Sequence, residues 1–345
     1  MRLFITGGAG FIGCNLAAKH LQLGDTITIY DNFSRVRTTQ NLEWLQKEAP
    51  KRDDAMLHLA RGDIRDYTTL REAVALAKPD LIVHLASQVA VTTSVKNPRE
   101  DFEINALGTF NVLEAARSLE KPPAVFYAST NKVYGGMEEI VVEKRGIRYQ
   151  YRDFPNGISE EQPLDFHSPY GCSKGAGDQY VRDYYRIYGI PTVVFRQSCI
   201  YGPRQFGVED QGWVAHFVIA AAFNRPITIY GDGMQVRDML HVDDLIKAYD
   251  VAWENIHKVS GEIFNMGGGK NNTLAIWSEF GPFLEELAGR KIEVKYGEWR
   301  PGDQPCFISD NGKAQKLLNW KPTINVRDGI RHLWEWVTSN PQLFH

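Results

Sequence analysis

Residues 6–16, Thr-Gly-Gly-Ala-Gly-Phe-Ile-Gly-Cys-Asn-Leu, follow the apolar run Leu3–Thr6 and open an amphipathic stretch. Glycines at 7, 10 and 13 in that position leave the chain few options. The first permits a tight strand-to-helix turn, the second lets backbone approach a pyrophosphate, and the third lets the helix pack close to the strand. The helix start then offers free N–H groups and the positive end of its dipole to phosphate. Asp31 closes the next apolar run, 18 residues after Gly13, where a carboxylate binds a ribose diol. Strand, glycine turn, helix, strand and acid in this order specify a dinucleotide-binding unit. Its candidate cofactor residues are Gly7, Gly10, Phe11, Ile12 and Gly13, followed by Asp31, Asn32, Ser34 and Arg35. Asp31 favours NAD over NADP because a carboxylate repels a 2′-phosphate, whereas Arg35 is placed to receive one.

The alternation continues. Apolar runs at 3–6, 26–30, 56–60, 81–86 and 124–128 are separated by amphipathic stretches such as Gly13–Leu23 and Ala106–Leu119. This rhythm predicts a parallel sheet covered on both faces, an α/β doubly wound, Rossmann-like fold. Residues 170–188 read as a long helix, 191–195 as a sixth strand, 241–254 as a helix and 261–267 as a further strand. The rhythm breaks after Cys199. Residues 270–345 read as a mixed cap with an amphipathic segment at Leu274–Leu287. The expected organisation is a cofactor domain of 1–198 plus about 238–268, and a smaller mixed α/β substrate domain of 199–237 plus 269–345.

The chain has 345 residues, a net charge of −3 and no Lys/Arg-rich block, which argues against a nucleic-acid partner. No run of about 18 apolar residues suggests a membrane span. Met1 runs straight into the first strand, leaving no room for a signal peptide. Cys14, Cys172, Cys199 and Cys306 show neither CxxC nor metal-ligand spacing. The expectation is a metal-free, cytoplasmic protein with free thiols.

Ser168-Pro-Tyr-Gly-Cys-Ser-Lys174 places Tyr170 and Lys174 four residues apart, on one helix face. A phenol titrates near pH 10 and is a poor base at neutrality. A nearby ammonium and a positive nicotinamide ring both favour the phenolate, which can then take a proton from a sugar hydroxyl. Together with Ser129-Thr-Asn-Lys-Val-Tyr-Gly135 and the glycine fingerprint, this chain resembles the extended short-chain dehydrogenase/reductase family, whose members act on nucleotide sugars. Further shared stretches are 31–35, 62–66, 84–87, Asn105–Thr109, 200–205, 237–244 and 299–304. The resemblance implies a catalytic triad of Thr130, Tyr170 and Lys174. It also implies cofactor contacts from Asp63, Ile64, Leu85, Ala86, Gln88, Asn105 and Gln197.

Dehydratases of the family carry Thr-Asp-Glu where this chain has Thr130-Asn131-Lys132. An amide cannot protonate a leaving hydroxyl, and a lysine is ordinarily protonated, so elimination is disfavoured. Lys132 either faces solvent or joins the site. The stretches 84–94, 164–175 and 201–214, with a long insert at 136–163, are similar to those of CDP-hexose 2-epimerases. That implies substrate contacts from Gln88, Thr130, Asn131, Ser198, Gln205, Arg237, Arg300 and Asp303, tightly held NAD, and a homo-oligomer. Gln88 and Gln197 are equally readable as buried amides with partners in the core. Cys199 stands where many relatives have a substrate-contacting Asn. A 4-epimerase of another nucleotide sugar and a non-catalytic redox sensor remain the alternatives, and the insert is a lid, an assembly surface or a plain loop.

Overall fold

The computed structural model describes residues 1–48, 56–300 and 302–344. Strands β1 (Arg2–Thr6), β2 (Thr26–Asp31), β3 (Met56–Arg61), β4 (Leu81–His84) and β5 (Ala124–Thr130) pair in parallel. Thr192–Gln197 and Glu262–Met266 complete a seven-stranded sheet, in the order 262–266, 192–197, β5, β4, β1, β2, β3. The inner strands are buried along nearly their whole length, so they read as continuous apolar runs. Edge strand β3 is more exposed and carries His58 and Arg61. From β1 the chain builds outward through β2 and β3, then returns to β4 on the other side. The strand order therefore reverses between β1 and β4, the switch point beside which ligands of such sheets bind.

Two compact units divide the chain: Met1–Thr130, Ser168–Arg196 and Ala248–Phe264 form one, and Asn131–His167, Gln197–Lys247 and Asn265–His345 the other. The structure thus assigns 131–167, 197–198, 238–247 and 265–268 to the second unit, where the sequence reading placed them in the first. The first unit is built around Phe4, Tyr30, Leu70, Ile82, Val112, Val125, Tyr127, Val181 and Val194. In the second unit, Val133, Tyr134, Met137, Ile140, Tyr151 and Ile158 pack with Val236, Ala275, Cys306 and Phe307. That shared core is why the insert belongs there. It forms an antiparallel hairpin, Val142–Arg145 with Arg148–Tyr151. Arg148 pairs with Glu279, and the Tyr151 hydroxyl donates to the Cys306 carbonyl at 2.9 Å. The amphipathic segment Leu274–Leu287 spans the end of a strand and most of a helix. Thr273–Ala275 pairs antiparallel with Val236–Asp238, and the helix begins at Phe280.

Helix Ser168–Tyr188 lies on β5. Its Asp178 is fully buried and accepts two bonds from Arg196, both 2.9 Å, and one from the Ser129 hydroxyl at 2.7 Å. Asp178→Ala leaves a buried guanidinium without its carboxylate and is expected to cost about 3–5 kcal/mol. Urea denaturation checks this; a loss below about 1 kcal/mol contradicts the clamp.

Candidate active site

Gly7 has φ +67°, and a Cβ there would lie 2.8 Å from the Ala86 nitrogen. At Gly13 a Cβ would lie 2.6 Å from both the Gly7 carbonyl and the Gly8 Cα, so only glycine lets this helix approach the turn. Helix Phe11–Gln22 has Gly10 as its N-cap and no side-chain cap. The described residues therefore fit a pyrophosphate: a glycine cradle and a helix start with uncapped N–H groups. Phe11 and Ile12 open that helix, half-buried.

The Asp31 carboxylate is buried and accepts from the Ala9 N–H at 3.1 Å and the Phe33 N–H at 2.8 Å. Burial raises its pKa, opposed by these bonds and by the Arg35 charge. Asn32 donates to Asp63 at 2.9 Å, and Ser34 is exposed with its N–H on the Asn32 oxygen. Two side-chain bonds from Arg65 draw the Asp63 pKa down to about 2. Ile64 is a core residue whose carbonyl accepts from Asn111.

At the end of β4, Leu85 donates its N–H to the Thr6 carbonyl and Ala86 to the Thr6 hydroxyl. His84 sits between the Thr6 and Thr109 hydroxyls at 2.7 and 3.0 Å; burial lowers its pKa to about 3, so the ring is neutral. Gln88 is half-buried and has protein partners. Its Nε2 donates to the Ala90 carbonyl at 2.9 Å and to Asp101 at 2.7 Å, and its oxygen accepts from the Ala90 N–H. Asn105 bridges Gln88, Asp101 and Ser173, and Ser173 donates to Asp101 at 2.5 Å. The sequence reading missed Asp101 and Ser173. Their only signal was spacing: Asp101 lies one helical turn before Asn105, and Ser173 directly precedes Lys174.

Thr130, Tyr170 and Lys174 come together as buried side chains. Ser168 accepts the Gly171 N–H at 3.2 Å and starts the helix, while the Tyr170 N–H donates to the Ser94 hydroxyl. Burial pushes the Tyr170 phenol up to about 12, and its hydrogen bond with Thr130 works in the opposite direction. Burial brings Lys174 down to about 7, against the fields of Asp178 and Asp101. Its ammonium donates to the Ala128 carbonyl at 2.6 Å and lies 4.2 Å from the centre of the Tyr127 ring.

The second unit carries the other candidates. Arg237 is buried and pairs with Asp303 at 2.6 Å. Arg300 lies 3.2 Å from Asp210 and 4.1 Å from the centre of the Tyr230 ring; Pro301 beside it falls outside the described residues. Ser198 donates to Asp238 at 2.5 Å, and Gln205 to the Ile200 carbonyl at 3.1 Å, both inside the unit. Gln197 is buried and Asn131 half-buried. Cys199 accepts from the Trp213 indole at 3.4 Å. Lys132 is half-buried; desolvation and the Arg237 charge lower its pKa, opposed by Asp303 and Cys199. Among the described residues no acidic, His or Cys group is arranged to hold a metal, and no helix is long and apolar enough to cross a membrane.

The family model described as GDP-mannose 4,6 dehydratase matches residues 4–333. The chain belongs to this branch of the extended short-chain dehydrogenase/reductase family. It is 43% identical over 344 residues to the CDP-paratose 2-epimerase of Salmonella typhi, covering 98% of this chain and 100% of that one. A putative UDP-glucose 4-epimerase of Methanocaldococcus jannaschii is 32% identical, with coverages of 98% and 99%. Among solved structures, the UDP-glucuronic acid 4-epimerase of Bacillus cereus, in complex with UDP-glucuronic acid and NAD, superposes with a TM-score of 0.82. It is 27% identical, with coverages of 98% and 99%.

Two measurements test these assignments. Asp31→Ala removes a charged acceptor for the ribose diol and should weaken NAD retention roughly ten- to hundredfold; unchanged co-purifying NAD refutes that role. Lys174 titrates near 7 in the folded chain and near 10.4 unfolded. Between those values the unfolded state binds the extra proton, so this residue makes stability rise with pH, by up to about 1.4 kcal/mol per unit. Lys174→Met should lose that slope in urea melts of NAD-stripped protein at about pH 7 and about pH 9.5. Parallel slopes in both proteins contradict a buried, discharged lysine.

Proposed function

We propose that this chain is an NAD-dependent epimerase that inverts carbon 2 of a CDP-hexose. The observation that carries this reading is end-to-end similarity, at 43% identity, to a CDP-paratose 2-epimerase, in a chain whose Thr130, Tyr170 and Lys174 are packed together. NAD, when bound, accepts a hydride from the sugar carbon and returns it. Tyr170 takes the proton of the carbon-2 hydroxyl and gives it back after the 2-keto sugar has turned its other face. Thr130 bonds the phenol and helps to hold the reacting oxygen. Lys174, when protonated, places a positive charge one helical turn away, which favours the phenolate. Asn131 and Lys132, where family dehydratases carry an acid and a base, leave oxidation and reduction at one carbon as the available chemistry.

Arg237 and Arg300 are suited to the substrate's phosphates, because a guanidinium grips two oxygens at once, and Asp303 to its ribose. Self-association is supported by Phe102, Leu107, Phe110 and Tyr180, which stand exposed on the first unit. A 4-epimerase of another nucleotide sugar is the second reading, favoured by the 32% identical relative.

Proton NMR of the purified protein with CDP-paratose in heavy water, with no cofactor added, tests the proposal. Conversion to the carbon-2 epimer without deuterium uptake is expected. No conversion by folded, NAD-loaded protein rejects it and turns the test to UDP-hexoses and carbon 4. Tyr170→Phe should lower turnover at least about 100-fold; near-wild-type turnover removes the triad from the mechanism.

A further inference from the structure

The contacts of the insert at 136–163 point to a role that is neither lid nor plain loop. A lid must open, so it is drawn from segments with few buried contacts. Here Met137, Ile140, Tyr151 and Ile158 are buried in a core of the second unit. Three successive residues at the exit of the hairpin turn bond to other stretches of the same unit. The Ile147 carbonyl accepts from the Ser278 hydroxyl at 2.5 Å. Arg148 donates to Thr273 at 2.6 Å and to Glu279 at 3.2 Å, and the Tyr149 N–H donates to the Met234 carbonyl at 3.1 Å.

Tyr149 also engages, through its side chain, the loop between the strands Ile227–Tyr230 and Val236–His241. Gly231 and Gly233 in that loop have φ +83° and +76°. A loop built on such residues has wide freedom and needs bonds from outside to keep one shape. Its Asp232 gives one oxygen to the Met234 N–H at 3.0 Å and the other to the Tyr149 hydroxyl at 2.8 Å. The Tyr149 ring stands edge-on to the Trp299 indole, with 6.4 Å between centres. Trp299 in turn lies against the loop: a Cβ at Gly231 would be 2.9 Å from the indole. One side chain therefore touches the loop that follows Tyr230 and the residue that precedes Arg300. Those two form a pair, with the guanidinium 4.1 Å from the ring centre. Glu209 accepts from the Tyr230 hydroxyl at 2.8 Å, and Asp210 lies 3.2 Å from Arg300.

We propose that the insert is a fixed brace of the second unit and that Tyr149 is its positioning residue, holding the loop and Trp299 so that Tyr230 and Arg300 keep one geometry for a nucleotide. The inference rests on the nucleotide-sugar reading only for the ligand that reads it out. Tyr149 acts through Asp232 and Trp299, so its hydroxyl sets affinity without touching the ligand.

The test is calorimetry on NAD-loaded protein with CDP and UDP. Tyr149→Phe keeps the ring and removes the bond to Asp232. It should weaken the diphosphate that wild type binds by roughly five- to tenfold at unchanged stoichiometry, which separates a shifted site from unfolded protein. Asp232→Asn, which keeps an acceptor for Tyr149, should retain most of the affinity. Asp232→Ala should lose it, and adding Tyr149→Phe to Asp232→Ala should cost nothing more. Wild-type affinity in Tyr149→Phe, or losses that add in the double variant, overturns the proposal and leaves the epimerase reading intact. Amide hydrogen exchange over 142–151 should be equally slow with and without CDP; strong protection appearing only with CDP would show a lid and overturn the brace. Failure of wild type to bind either diphosphate would overturn the nucleotide-sugar reading and this role with it.

Discussion

Buried charge fixes helix Ser168–Tyr188 against the end of β5, and the geometry of the first unit's chemistry follows from that contact. Asp178 takes both forks of Arg196 from the neighbouring strand and the hydroxyl of Ser129 from β5 itself. Desolvating such a pair makes it a modest source of net stability, yet breaking it is costly. A helix held this way has one rotation and one height relative to the sheet. Ser129 is followed by Thr130, and two helical turns before Asp178 stands Tyr170. Once the carboxylate is seated, phenol and threonine meet, and Lys174 between them reaches the Ala128 carbonyl.

A second polar layer braces the same helix from its other side. Glu103–Leu107 is a π-helical turn, a form that often marks functional sites. The Asn105 carbonyl in this turn accepts from the Thr109 hydroxyl at 2.6 Å, and its side-chain amide reaches Gln88, Asp101 and Ser173. Every member is bonded to another, the condition under which a buried polar network specifies one arrangement. The loop after β4, the 98–107 segment and helix Ser168–Tyr188 are thereby locked together one residue before Lys174.

The sequence made the sheet legible because inner parallel strands are buried on both faces and so become unbroken apolar runs. The glycine turn was legible because Gly7 and Gly13 sit where a Cβ would strike backbone. Other features depend on contacts between residues distant in the chain, which local pattern does not carry. Nothing near residue 140 announces that Met137, Ile140 and Tyr151 will share a core with Phe307. Leu274 and Ala275 pair as strand with Val236–Asp238, a partner that the amphipathic pattern of the segment does not announce. Gln88 is readable as a ligand contact or as a core amide, because local pattern does not show its partners. Asp101 carried no motif at all; a buried carboxylate is recognised by what it accepts from, and those donors lie up to 72 residues away.

The electrostatics of the first unit explain how its buried titratable groups are accommodated together. At rest the phenol is protonated, His84 is neutral, and Lys174 is poised near neutrality. The buried carboxylate Asp178 is paired with Arg196, and Asp101 is held by hydrogen bonds. Little isolated charge has to be kept out of water. The same burial pushes both groups toward their neutral forms, the Tyr170 phenol up to about 12 and the Lys174 ammonium down to about 7. That low-dielectric layer is what the Asp178 clamp and the Asp101 network maintain.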